Sequence, residues 1–144
     1  MIPGFFDPKR VGPAPKVRAN VLLPELANRW FKVDFLLDTG AGITCLHPND
    51  AINRAGLTST VLSDPAQWRR REPARGVGGQ ATYFVVPAIY AFVTDAGQMQ
   101  LVRGQTRVAQ FRPGDMNLPS LLGWDILEKF EVVVDWRTRR VELR

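Results

Sequence analysis

The sequence predicts a single, mostly β domain with closed, barrel-like strand pairing. Three observations lead there. β-branched and apolar runs recur along the chain, each bounded by turn residues. Proline (11) and glycine (12) are together common enough to imply many turns. Helical periodicity is scarce, confined to short stretches.

Residues 1–15 hold four prolines (Pro3, Pro8, Pro13, Pro15) and two glycines, and read as a flexible, irregular Pro/Gly-rich arm. The folded domain is expected over 16–144. Runs 17–23 and 30–37 are strand-like and flank the loop 24–29, which predicts a hairpin. Strand character returns at 43–46. Asn49 is a candidate cap for a short helix over 50–55, with Gly56 as its stop. A further short strand is expected at 58–62.

Runs 72–77 and 81–92 flank Gly78-Gly79 as a second hairpin. A long strand over 99–111 is expected to break near Gly104. Residues 120–122 make a short apolar strand, and 124–130 look helical. Runs 132–135 and 140–143 form a final hairpin. No repeat or low-complexity segment is present.

Length and composition fit one globular domain. A chain of 144 residues can bury a modest core, and 45% apolar with 23% charged residues is ordinary usage. No apolar stretch approaches the roughly 20 residues of a membrane span. The N-terminus lacks a secretory pattern. One cysteine, Cys45, excludes an internal disulfide and agrees with a reducing compartment, so a cytoplasmic protein is expected. The net charge is +5, and basic residues cluster in Arg69-Arg70-Arg71 with Arg75, and in Arg137, Arg139, Arg140 and Arg144. No interleaved aromatics, zinc-finger spacing or recognition helix accompanies them, so a solvated face or interface is favoured over nucleic acid, with a basic nucleic-acid-binding β-barrel as a third reading behind the two given below. Cys45 and His47 point to the same side of a strand but lack a third orienting group, which favours a core thiol over a nucleophile. With one His and one Cys, no transition-metal site is expected and no cofactor is implied. The four tryptophans are assigned to the core or a dimer interface. Asp34, Asp64, Asp115, Asp125 and Asp135 are explained by solvation, capping or turns.

One carboxylate stands apart. Asp38, Thr39, Gly40 and Ala41 form a turn between the apolar runs Leu36-Leu37 and Ile43 to Leu46. Far downstream, Leu121-Leu122-Gly123 places two bulky apolar residues and a glycine before a helix start. Between them lies Gly76-Val77-Gly78-Gly79. Together, in this order, these segments resemble the retropepsin-like aspartic proteases: an Asp-Thr-Gly-Ala catalytic turn, a Gly-rich flap and a hydrophobic-hydrophobic-Gly strand. The resemblance covers roughly 16–136, including the extended final hairpin of bacterial and cellular members.

That resemblance implies a closed acid-protease barrel and an aspartic endopeptidase. Such chemistry needs one carboxylate as base on a water and one carboxylic acid toward the scissile carbonyl. Two carboxyl groups about 3 Å apart cannot both ionise, so they share a proton. Asp38 alone has the signature, so a homodimer is implied, with an Asp38/Asp38′ dyad on its two-fold axis and a peptide or protein as substrate. By the same carry-over, Thr39 would hydrogen-bond across the dimer and Gly40 would let the backbone turn without crowding the carboxylates. Ala41 would line the channel. Val77, Gly78 and Gly79 would form the flap, and Leu121, Leu122 and Gly123 would back the turn. Retroviral members carry an acidic residue after the Ala and an arginine after the later Gly, which pair. Here Gly42 and Trp124 stand there, so the pair is absent at both ends and no buried charge is stranded. Trp124 is expected to fill the space by packing. The alternative is a retropepsin-fold binding or dimerisation module of weak or no catalysis. Phe5-Phe6 reads as a candidate self-cleavage site.

Overall fold

The computed structural model describes residues 1–8, 14–64, 66, 68–76 and 79–144. It is mostly β, as the sequence predicts, with a few short helices. The first hairpin pairs β3 (Ala14–Leu23) with β4 (Ala27–Leu37). Its alternation is the reason it forms: Val17, Ala19, Val21 and Leu23 point inward with Phe31, Val33 and Phe35, while Arg18, Lys32 and Asp34 face out. The second hairpin pairs β6 (Arg71–Gly76) with β7 (Gly79–Val93), and β7 runs on against β8 (Met99–Ala109).

Two short strands complete this sheet. β5 (Cys45–Leu46) lies parallel to β8, and β9 (Leu121–Leu122) sits between β4 and β5. Because β3 also pairs with β7 through Asn20–Leu22, the strands β3, β4, β9, β5, β8 and β7 close into a hydrogen-bonded ring. The inward side chains fill it. Phe35, Phe84, Tyr90, Phe92, Leu122 and Ile126 are fully buried, each contributing about 1.5–3 kcal/mol. Tyr90 satisfies its hydroxyl by donating to the Gln105 carbonyl at 2.8 Å.

A three-stranded sheet packs beside the ring: β1 (Ile2–Pro3), β11 (Arg140–Leu143) and β10 (Val132–Asp135). The final hairpin expected from the sequence is present at those bounds. Three short helices, α1 (Pro48–Asn53), α2 (Ser59–Ser63) and α3 (Trp124–Leu127), occupy connections. No helix among the described residues is long and apolar enough to cross a membrane.

Several expectations are corrected. The expected irregular arm at 1–15 contains β1 and β2 (Phe5–Asp7), paired to β11 and β3. Pro3 is tolerated because β1 is a terminal strand of its sheet, where a missing N–H costs no ladder bond. Ile2 is buried, and Phe6 meets Trp136 edge-on at 5.8 Å, so cleavage at Phe5-Phe6 would first require β2 to detach. The strand expected at 58–62 is replaced by helix α2, Ser59–Ser63. Thr58 caps α2 by accepting from the Val61 N–H at 3.1 Å, and the Trp68 indole donates to the Val61 carbonyl at 2.9 Å. His47, not Asn49, precedes α1, while Gly56 takes the left-handed conformation (φ 77°) at its end. β8 does not break at Gly104: Gly104 pairs with Ala88, and the space over it is taken by Ile126 and Tyr90. The helix expected over 124–130 is confined to α3.

Candidate functional site

β4 ends at Leu37, and its ladder with β9 continues one step further: the Asp38 N–H donates to the Leu122 carbonyl at 3.1 Å. The chain then turns, because the Ala41 N–H returns to the Asp38 carbonyl at 3.1 Å. Leu121-Leu122 thus lies between the strands that flank the turn, with Leu122 wholly buried beneath it. The expected supporting strand is therefore adjacent to the expected catalytic turn.

Asp38 is half-buried and its Oδ1 accepts from the Gly40 N–H at 2.9 Å. A Cβ on Gly40 would lie 3.2 Å from that same oxygen, a tight approach. Thr39 and Gly40 are exposed, and Ala41 is half-buried.

Residues 123–125 run against the far side of the turn. The Trp124 N–H donates to the Ala41 carbonyl at 2.9 Å, and the Asp125 N–H to the Gly42 carbonyl at 3.2 Å. Gly123 is required by crowding: a Cβ there would come within 2.7–2.9 Å of backbone atoms of Ala41, Ile43 and Thr44. Its N–H donates to Thr44 Oγ1 at 3.0 Å. Trp124 does not fill space by packing as expected. The residue is 52% exposed, and its indole N–H donates to the Thr39 carbonyl.

Sequence reasoning missed two members of this assembly. Asp125 was expected only to cap or solvate, yet its Oδ1 accepts from both the N–H and the hydroxyl of Thr44. Neither residue carries a local signal, because they meet only when the chain returns 81 residues later. Of the other aspartates, Asp135 takes an expected turn role and Asp34 instead forms an ion pair. Asp34 pairs with Arg18, and Asp135 accepts from the Arg137 and Thr138 N–H groups in a turn.

Val77 and Gly78, two of the three expected flap residues, lie outside the described residues. The β6–β7 ladder leads to them, ending at the Gly76–Gly79 pair. At the base of that hairpin, Arg107 of β8 donates to Glu72 Oε2 from Nη2 at 3.0 Å and from Nε at 3.2 Å. The Arg107 guanidinium holds Glu72 below the usual carboxylate range. It also lies 5.8 Å from the centre of the Tyr83 ring.

Cys45 and His47 are both buried, with Sγ and Nε2 3.8 Å apart. Burial pushes the Cys45 thiol pKa strongly up, the opposite of what a nucleophile needs. Burial likewise lowers the pKa of His47, whose Nδ1 lies 2.6 Å from the Pro119 carbonyl. Both belong to the core wall, as expected for a structural thiol.

A polar cleft of about 700 Å3 lies elsewhere, between the outer face of the β3–β4 hairpin and α1. Lys16, Arg18, Lys32, Asp34, Asp50 and Arg54 help to line it, and no residue of 38–41 or 121–123 does. Part of the basic charge is paired internally, as in Arg70–Glu72, Arg140–Glu142 and Arg144–Glu142. No family model matches this chain, and no curated protein matches it.

Proposed function

We propose that the chain is one subunit of a homodimeric, retropepsin-like aspartic endopeptidase whose dyad is Asp38 from each copy. The observation that carries this reading is the Asp38 turn itself. A half-buried carboxylate is oriented by the Gly40 N–H, and strand Leu121–Leu122 runs behind it. The fold part of this proposal, a small acid-protease barrel, draws its support from the closed ring of strands.

In this reading, one Asp38 carboxylate takes a proton from water while its oxygen attacks the scissile carbonyl carbon. The protonated partner carboxyl gives its proton to the carbonyl oxygen. Collapse of the resulting gem-diol breaks the C–N bond: the amine receives the proton held by the first carboxylate, and one gem-diol hydroxyl returns its proton to the partner carboxylate, leaving a carboxylic acid and the singly protonated dyad. Thr39, exposed beside each carboxylate, bonds its copy across the axis, and Ala41 borders the substrate. By the resemblance alone, Val77, Gly78 and Gly79 would supply the flap that excludes water from the bound peptide.

The free edge of β10 supports the dimer. Glu131 and Arg144 exchange both backbone hydrogen bonds, so by strict alternation Val132 and Val134 turn their N–H and C=O groups away from β11. No strand among the described residues pairs with that edge. A Val-Val-Val edge meeting its own copy antiparallel forms an isologous contact about a two-fold axis.

The test is cleavage of a peptide library by wild type and Asp38→Asn, with titration by a statine-type transition-state mimic. Wild-type cleavage is expected near mildly acidic pH, lost in the variant. Undiminished cleavage by Asp38→Asn eliminates the mechanism. Peptide binding without turnover by wild type would establish the binding-module alternative instead.

A further inference from the structure

We infer that Trp124 is the positioning residue for Asp38, acting through the single peptide unit that joins Thr39 to Gly40. The inference rests on the aspartic-protease reading for its catalytic consequence, but its geometry stands without it. The Trp124 indole N–H donates to the Thr39 carbonyl oxygen. The N–H of that same peptide, on Gly40, donates to Asp38 Oδ1 at 2.9 Å. The two bonds are therefore in series: indole, peptide, carboxylate. Hydrogen bonds arranged head to tail polarise one another, strengthening each by about 10–30%. A donor on the Thr39 oxygen makes the Gly40 N–H a better donor to Asp38.

The relay is also mechanically fixed. Trp124 is anchored by its own backbone N–H on the Ala41 carbonyl, and Ala41 closes the turn onto the Asp38 carbonyl. The Trp124 side chain and main chain thus grip the turn at residues 39 and 41, on both sides of Gly40. Gly40 has no side chain to hold its peptide plane, so that plane needs an external restraint. Core packing does not explain the ring, because 52% of Trp124 is exposed. What the turn uses is the indole N–H, a donor that phenylalanine and leucine lack.

A carboxylate oxygen held within about half an ångström by a supporting hydrogen bond reacts from a defined geometry. Without the indole donor, the Thr39–Gly40 plane rocks and Oδ1 loses its alignment. Substrate contacts at the flap and channel are untouched, so kcat should fall while KM stays nearly constant.

The experiment compares wild type with Trp124→Phe and with an isostere of Trp124 in which sulfur replaces only the indole N–H. The isostere preserves shape and so guards against a folding defect. In both variants, hydrogen exchange at the Gly40 amide should rise about tenfold and its proton resonance should move upfield, while Tyr90 and Val102 amides keep their protection. Cleavage should lose about tenfold in kcat, with KM within twofold of wild type. An unchanged Gly40 amide in the isostere overturns the inference, as does a loss confined to KM. A wild type that never cleaves peptides overturns the catalytic reading alone, because the Gly40 measurement needs no turnover.

Discussion

Asp125 Oδ1 accepts two hydrogen bonds from Thr44, from the backbone N–H at 2.9 Å and from the hydroxyl at 2.8 Å. Thr44 is fully buried, and its hydroxyl oxygen in turn accepts from the Gly123 N–H. One threonine thereby ties the end of the Asp38 turn to the strand returning beneath it. Removing the carboxylate would leave two buried donors unpaired, each costing about 1–3 kcal/mol. Asp125→Ala is expected to lower unfolding stability in urea by roughly 2–4 kcal/mol, and Thr44→Val by roughly 1–3 kcal/mol. Thr44→Ser, which keeps the hydroxyl, should recover most of the loss. A change below about 0.5 kcal/mol for Asp125→Ala would show the brace to be inert.

Glycine at 123 and at 42 should respond oppositely to alanine. A Cβ at Gly123 meets three backbone atoms inside 3.0 Å, so the two segments must separate. Gly123→Ala is expected to cost about 3 kcal/mol or to prevent folding. A Cβ at Gly42 meets nothing within 4 Å, and Gly42→Ala should be neutral or stabilising by up to about 1 kcal/mol. Thermal melts of the two variants decide the matter, and equal melting temperatures would refute the crowding argument.

His47 makes stability depend on pH with a definite sign. Burial lowers its pKa below the ordinary value of about 6.5, against the opposing pull of the Pro119 carbonyl and of Asp115 and Asp50. Below that value the unfolded chain binds a proton that the folded chain refuses. Stability from this group is therefore full above about pH 6.5 and declines as pH falls toward the folded value. His47 is the one histidine in the chain, so its imidazole resonances report the titration directly. A midpoint at or above 6.5 would contradict the burial argument. The decline opposes the mildly acidic optimum of the proposed dyad, so activity should peak where the two trends cross.

The outer edge of β10 should control association. Val134→Pro removes an outward N–H and places a ring on that edge while sparing the ladder to β11. Sedimentation should then shift from dimer to monomer, and peptide cleavage should fall with it. A variant that stays dimeric with full activity would place the two-fold contact elsewhere.

The hairpins were legible because the alternation at 17–23, 30–37 and 81–92 forces one face inward, and a pattern of period two is a local property. Pro87 did not disturb the reading or the strand. It falls between the β7 segments paired to β6 and to β3, where that edge has no ladder to break. The short elements were not legible. Thr58 to Leu62 is rich in β-branched residues, yet the Thr58 cap and the Trp68 indole bond favour a helix, and such partners lie outside any local window. Strands β1 and β2 exist because β11 and β3 offer edges to them, which proline-rich composition cannot reveal.

At the candidate site, residue type and order alone supply the Asp38-Thr39-Gly40-Ala41 turn, the Leu121-Leu122-Gly123 strand, and the lack of a second aspartate in such a turn. These are choices of residue type and order, fixed by what a tight turn and a buried strand permit. Tertiary structure alone decided which groups hold Asp38 in place. Trp124 donates to the Thr39 carbonyl and Asp125 receives Thr44, because strand β9 inserts between β4 and β5 and brings residues 123–125 against 39–44. Hydrogen bonds act over about 3 Å, and folding, not sequence spacing, sets which donors come that close.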